Sequence, residues 1–195
     1  MQQIKASREM LLEKCLAAFI RAGTLDLSLD DLARQVGTSK RMLIHYFGGR
    51  ETLEEQVMSR LEDRLRQQFR ADAFPPGASL RTVTLALWQR TTHPESRGIL
   101  LLVMDLTRRA WNSWNGRNGL TGSERARQFY AEQQRLWIDL LLAFSPDPKF
   151  PDRRFVESLL QLFQGCVLAY LVTGDREPGA RTLETFLDTQ ATLKP

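Results

Sequence analysis

Apolar residues recur three and four positions apart along almost the whole chain, the spacing of one face of a helix. Leu12, Cys15, Leu16 and Phe19 mark a first helix over about 6–21, and Gly23 supplies its stop. Leu29, Leu32, Ala33 and Val36 repeat the spacing in a shorter helix. Ser28 stands just before it with Asp31 three residues later, a start like a capping box. Gly37 breaks the pattern. Thr38 can cap a third short helix to about Tyr46, with Leu43 and Phe47 inward and Gly48-Gly49 at its end. Leu53, Val57, Leu61 and Leu65 mark a long fourth helix reaching about Ala71, and Phe74-Pro75-Pro76-Gly77 is the clearest punctuation in the chain. Five more apolar-periodic segments follow near 79–92, 95–112, 123–144, 153–173 and 178–192. No stretch alternates long enough to predict a strand, and there is no internal repeat. The expected fold is all-α.

The 195 residues are 43% hydrophobic and 26% charged, which fits a globular chain of one moderate domain or two small units sharing a core. The longest unbroken apolar run, Cys166 to Val172, is far short of the roughly 18 to 20 residues of a membrane span. The N-terminus has no apolar segment of the kind a secretory signal needs, so a cytoplasmic protein without membrane partners is expected. Cys15 and Cys166 sit among apolar neighbours and read as buried free thiols. Two cysteines and two histidines, all scattered, are too few for a zinc site, and no metal or cofactor is expected. The net charge is +4, and it is uneven: the first 50 residues hold eight basic and five acidic side chains. That quarter suits an anionic partner.

The segment Ser28–Phe47 reads helix, tight turn with Gly37, helix. Ala33 is small where the helices would cross, and Val36 and Leu43 supply the contact between them. This is the helix-turn-helix plan, whose second helix enters the DNA major groove. Ser39, Lys40, Arg41, Met42, His45 and Tyr46 lie on the non-core faces of that second helix. Arg and Lys suit guanine acceptors or phosphates, hydroxyls suit phosphates, and Met suits a thymine methyl. The alternative is a helical hairpin whose polar residues are only solvated.

The run Leu11–Leu53 resembles the N-terminal domain of the tetracycline-repressor (TetR) family. The resemblance is carried by Phe19 and Gly23, by Ser28 with Asp30 and Asp31, by Ala33, Gly37, Ser39 and Lys40, by Tyr46-Phe47, and by Arg50-Glu51. It implies that Ser28, Ser39, His45, Tyr46 and Arg50 hold DNA phosphates, and that Thr38, Lys40 and Arg41 lie nearest the base edges. Arg41-Met42, the order His45-Tyr46 and Gly48-Gly49 depart from the family's pattern, so no operator sequence carries over. The resemblance also implies a layout. Residues 1–50 would form a three-helix DNA-binding domain, the fourth helix to about 72 would link it onward, and 51–195 would form a helical ligand-binding and dimerisation domain. The partners would be a double-stranded operator, a second copy of the chain and a small-molecule effector. The function would be that of a repressor.

The later residues support that layout. The segment Phe155–Val172 is apolar on nearly every face, and Gly165 and Ala169 would admit another helix closely. Phe155, Leu159, Leu162, Phe163, Gly165, Ala169 and Tyr170, with Leu183, Phe186 and Leu187 of the last helix, are the expected dimer surface. Trp88, Met104, Arg108, Trp111, Trp114, Phe129, Tyr130, Gln133 and Trp137 are candidates for an apolar ligand pocket, against the alternative that these aromatics are core. Two rival functions differ in class. One is a ligand carrier whose helix-turn-helix is only structural. The other is an enzyme, against which stands the lack of a Ser-His-Asp set or a glycine-rich phosphate loop. His93 before Pro94 reads as a surface histidine.

Overall fold

The computed structural model describes the backbone of residues 2–114, 121–145 and 153–192, with side chains described over 7–111, 124–145 and 153–189. The described residues form α1 (Gln2–Ala22), α2 (Leu29–Val36), α3 (Lys40–Phe47), α4 (Arg50–Gln68), α5 (Leu80–Thr91), α6 (Arg97–Trp114), α7 (Thr121–Leu142), α8 (Arg153–Thr173) and α9 (Glu177–Thr192), with no strand among them. The all-α expectation holds. Two boundaries differ from the pattern. α1 begins at Gln2, before its apolar repeat, and α4 ends at Gln68. Beyond it Arg70 is extended, which leads the chain into a short 3-10 turn between the buried Phe69 and Phe74.

The chain divides into two compact units, residues 1–65 with 98–133 and residues 66–97 with 134–195. In the first, α1 packs on α2 and α2 on α3. Leu16, Phe19, Leu25, Leu32, Leu43 and Leu53 are each at most 1% exposed. Each such side chain contributes about 1.5–3 kcal/mol by leaving water. α6 approaches the end of α1 so closely that a Cβ at Gly98 would lie 2.4 Å from the Ile20 carbonyl oxygen.

In the second unit α9 packs on both α8 and α5. Trp88 of α5 sits edge-on to Phe163 at 5.6 Å and to Tyr170 at 6.4 Å. Phe163 also meets Trp137 at 5.3 Å, and Trp137 meets Phe69 at 4.8 Å. Tyr170 donates its hydroxyl to the Thr92 carbonyl at 3.0 Å. α8 is long and apolar enough to cross a membrane by length and composition, but Val156, Leu159, Leu160, Phe163, Val167 and Tyr170 are buried in this core. Both cysteines are free and buried, and burial pushes the Cys15 thiol up to about 11, so it stays protonated.

Three glycines test this packing. Gly179 faces the Trp88 ring, where a Cβ would lie 2.4 Å away, while Gly165 of α8 faces open space. Gly98→Ala and Gly179→Ala should each destabilise by roughly 1–3 kcal/mol through overpacking. Gly165→Ala, in an exposed helix interior, should stabilise by up to about 1 kcal/mol when the chain is monomeric. Denaturant midpoints of the three variants check the order.

Candidate nucleic-acid interface

Local signals fix the helix-turn-helix. Ser28 caps α2 by accepting from the Asp31 N–H at 3.0 Å, and its hydroxyl donates to the Asp31 carboxylate at 2.6 Å. That hydroxyl, with Arg34 nearby, holds the exposed Asp31 carboxyl below its ordinary value. α2 ends at Gly37 with φ 73°, a left-handed conformation that glycine adopts without strain, and the Thr38 N–H then donates to the Ala33 carbonyl at 2.9 Å. Ser39 caps α3 by accepting from the Met42 N–H at 3.2 Å, so Ser39 rather than Thr38 is the cap. Gly48 closes α3 at φ 80°.

Leu43 and Phe47 are buried, which turns the opposite face of α3 outward. Arg41 and His45, one turn apart, are exposed there. Met42 and Ile44 flank them at 37% and 43% exposure. Ile44 escaped the sequence reading, although its place between the inward Leu43 and the outward His45 already put it at the edge of the presented face. Tyr46 is half-buried with its ring edge-on to His45 at 5.4 Å. Arg8 of α1, also unforeseen, donates Nε to the Tyr46 carbonyl at 3.1 Å and lies over the Phe47 ring at 5.5 Å. A cation there also meets the negative end of the α3 dipole.

Arg50 makes contacts within the motif that the sequence reading did not foresee. Its Nη1 donates to the Leu27 carbonyl and its Nη2 to the Leu25 carbonyl, both at 2.5 Å, and its Nε meets Glu54 at 2.7 Å. The guanidinium thus holds the end of the α1–α2 loop while its side chain remains 38% exposed.

The remaining expected residues are scattered. Met104 is half-buried, Phe129 and Gln133 are buried, Trp111 is 69% exposed and Tyr130 is exposed. Arg108 is committed to Asp26 and Asp105. Trp88 and Trp137 belong instead to the aromatic core of the second unit, and the Trp114 side chain lies outside the described residues. A cleft of about 450 Å³ does open in that unit, where Trp88 is joined by Gln89, His93, Arg176 and Glu177. Of the expected dimer surface, Leu159, Phe163, Tyr170, Leu183 and Leu187 are buried within the chain, while Phe155 stacks on Phe186 at 5.1 Å and Leu162 is half-buried. The exposed stripe of α8 is Gly165, Leu168, Ala169 and Val172.

Residues 11–57 match the family described as bacterial regulatory proteins, tetR family. No curated protein matches the chain. Among solved structures, a candidate tetR-family transcriptional regulator from Rhodococcus sp. is similar over 93% of this chain and 97% of its own, with TM-score 0.68 and 19% identity. A candidate transcriptional regulator from Pseudomonas aeruginosa PAO1 covers 97% and 92%, with TM-score 0.66 and 18% identity. A tetR-family transcriptional regulator from Streptomyces coelicolor covers 96% and 85%, with TM-score 0.63 and 18% identity. At these identities the likeness is one of fold.

One pair on this face can be tested directly. Lys40 is held by Asp30 at 2.9 Å, with both side chains half or more exposed. Such a surface pair is worth at most about 1 kcal/mol, so a phosphate can displace it. Asp30→Asn should therefore tighten binding to duplex DNA by up to about fivefold, on all sequences alike, in fluorescence-anisotropy titrations at fixed salt.

Proposed function

We propose that the chain, a member of the tetR family of DNA-binding transcriptional regulators, is a dimeric repressor that a small-molecule ligand releases from a palindromic operator. The observation that carries the reading is the outward face of α3, with Arg41 and His45 in front and Met42 and Ile44 at its flanks. Arg41 is suited to guanine, and the two apolar flanks are suited to thymine methyls. Ser28, Ser39, His45 and Tyr46 serve the phosphate backbone, and Thr38 and Lys40 stand with Arg41 nearest the base edges, where the Lys40 ammonium also reaches a phosphate. The DNA-binding part is then residues 1–50, and 51–195 hold effector and partner. The cleft beside Trp88 has the volume of a small-molecule site. The protein would act in the cytoplasm as a binding protein, not an enzyme.

The test is selection from a random-sequence duplex pool followed by titration of variants. Arg41→Ala should weaken the selected duplex by about 1–3 kcal/mol and relax one position of the half-site. Lys40→Ala should weaken all sequences alike and flatten the salt slope by about one unit. Recovery of no preferred sequence by the wild type would sink the reading.

The exposed stripe of α8 is the proposed dimer surface. A small residue at Gly165 and at Ala169, between Leu168 and Val172, lets a second copy approach closely. Val172→Glu should give monomers in light scattering and abolish the preference for inverted repeats. A wild type that is monomeric at micromolar concentration contradicts this assignment.

A further inference from the structure

The loop between α1 and α2 sets where the helix-turn-helix begins, and it is held from two sides within the first unit. From α4, Arg50 takes the Leu25 and Leu27 carbonyls, as described above. From α6, the Asp105 carboxylate accepts from the Leu25 N–H at 3.0 Å and from the Thr24 hydroxyl at 3.1 Å. Asp26 accepts from Arg109 at 2.6 Å and from Arg108 at 3.1 Å.

The two holds are joined. Arg109 donates Nε to Asp105 at 3.1 Å and reaches Glu54 at 3.4 Å, and Glu54 in turn holds Arg50. The Asp105, Glu54 and Arg109 side chains are 8%, 10% and 18% exposed. Water cannot readily replace a partner lost at that depth, so removing one leaves a buried charge uncompensated. Burial alone would raise the Asp105 carboxyl, but the Leu25 N–H, Arg108 and Arg109 outweigh it and hold it below its ordinary value. For Glu54 burial prevails over Arg109 and Arg50 and pushes the carboxyl up. The packing beside this cluster has no slack either. A Cβ at Gly23 would lie 2.7 Å from the Leu101 Cβ, and Gly98 abuts the Ile20 carbonyl.

We propose that Asp105 and Arg109 are positioning residues for DNA binding. Through them α6 holds residues 24–27, and hence α2 and α3, in register. A displacement of α6 then reaches the DNA-reading face through this clamp. The proposal rests on the reading of α3 as the DNA-binding helix. Neither residue touches DNA. Their effect is on the orientation of α3, and it is reciprocal: DNA that fixes α3 must also fix α6.

The experiment uses the full chain and the duplex that the wild type enriches from a random pool. Arg109→Gln is compared with the wild type at a temperature where circular dichroism shows both fully folded. The variant should bind about two- to thirtyfold more weakly, with an unchanged salt slope because no phosphate contact is lost. Hydrogen exchange gives a readout that general destabilisation would not move. In the wild type, saturating duplex should slow exchange in α6 around residues 101–109 as well as in α3. In the saturated variant the slowing should persist in α3 and vanish in α6. Should Arg109→Gln fail to fold, Asp26→Asn, on the exposed arm of the clamp, is read in the same way with a smaller effect. Unchanged affinity with α6 slowed equally in both proteins overturns the positioning role while DNA binding stands. If the wild type enriches no duplex, the DNA-binding reading falls and takes the positioning role with it.

Discussion

The guanidinium of Arg50 ties together segments that are neighbours only in the folded chain. It takes two carbonyls from the end of the α1–α2 loop and one carboxylate from its own helix. Without it those carbonyls, in a part-buried setting, would need other partners. The consequence reaches further than the loop. α2 and α3 have eight residues each, too short to be stable helices on their own. Their caps say where each helix begins and ends. Their direction in space has to come from α1, α4 and α6. Arg8 at the end of α3, Arg50 before α2, and Asp105 with Arg109 behind the loop are the polar part of that support. Phe19, Leu32 and Leu43 are the apolar part.

How much of this the amino-acid order discloses depends on the range of the interaction. Caps and stops act over three or four residues, so Ser28, Gly37 and Gly48 announce α2 and α3 directly, while the α3 cap falls on Ser39, one residue past the Thr38 that the pattern suggested. Inward faces follow from helical periodicity, and Cys15, Leu16, Phe19, Leu32 and Leu43 are all buried as the spacing predicts. Charge pairing has no such period. Arg50 stands next to Gly49 and Glu51 and looks like an exposed cation. Its inward turn depends on carbonyls 23 and 25 residues away. Asp105 lies 80 residues from the N–H it accepts. The contacts of Arg50 within the motif escape the sequence for that reason, while Arg41 is exposed as expected.

The aromatic residues show the same limit in another form. Trp88 and Trp111 both stand in apolar-periodic segments, yet one is 2% and the other 69% exposed. Trp88 is central because Gly179 lets α9 meet its ring and Phe163 and Tyr170 close around it. None of these partners is near it in the chain. The residues of α8 show the same limit. A helix apolar all round, such as α8, has one side for its own core and one for something else, and composition does not say which is which. Val156, Leu159, Leu160, Phe163, Val167 and Tyr170 face inward, which leaves Gly165, Leu168, Ala169 and Val172 outside.

In the proposed function a dimer through that outer stripe would serve reading by the outward face of α3. One α3 offers about four side chains to base edges, and a good base contact discriminates by about 1–3 kcal/mol. Specific sites typically stand about 4–10 kcal/mol apart from bulk DNA. A single short helix, some of whose contacts go to phosphates, would fall at the low end of that range. Two copies that bind an inverted repeat add their contributions, provided their separation is fixed near one helical turn of DNA, about 34 to 36 Å. A fixed separation requires an interface that is itself closely packed, and at the proposed dimer surface Gly165 and Ala169 would allow backbone to approach backbone. A fixed separation also transmits small shifts. Under the proposed dimer, an α6 that moved the loop before α2 by a few ångströms would turn each α3 with it and take two half-sites out of register.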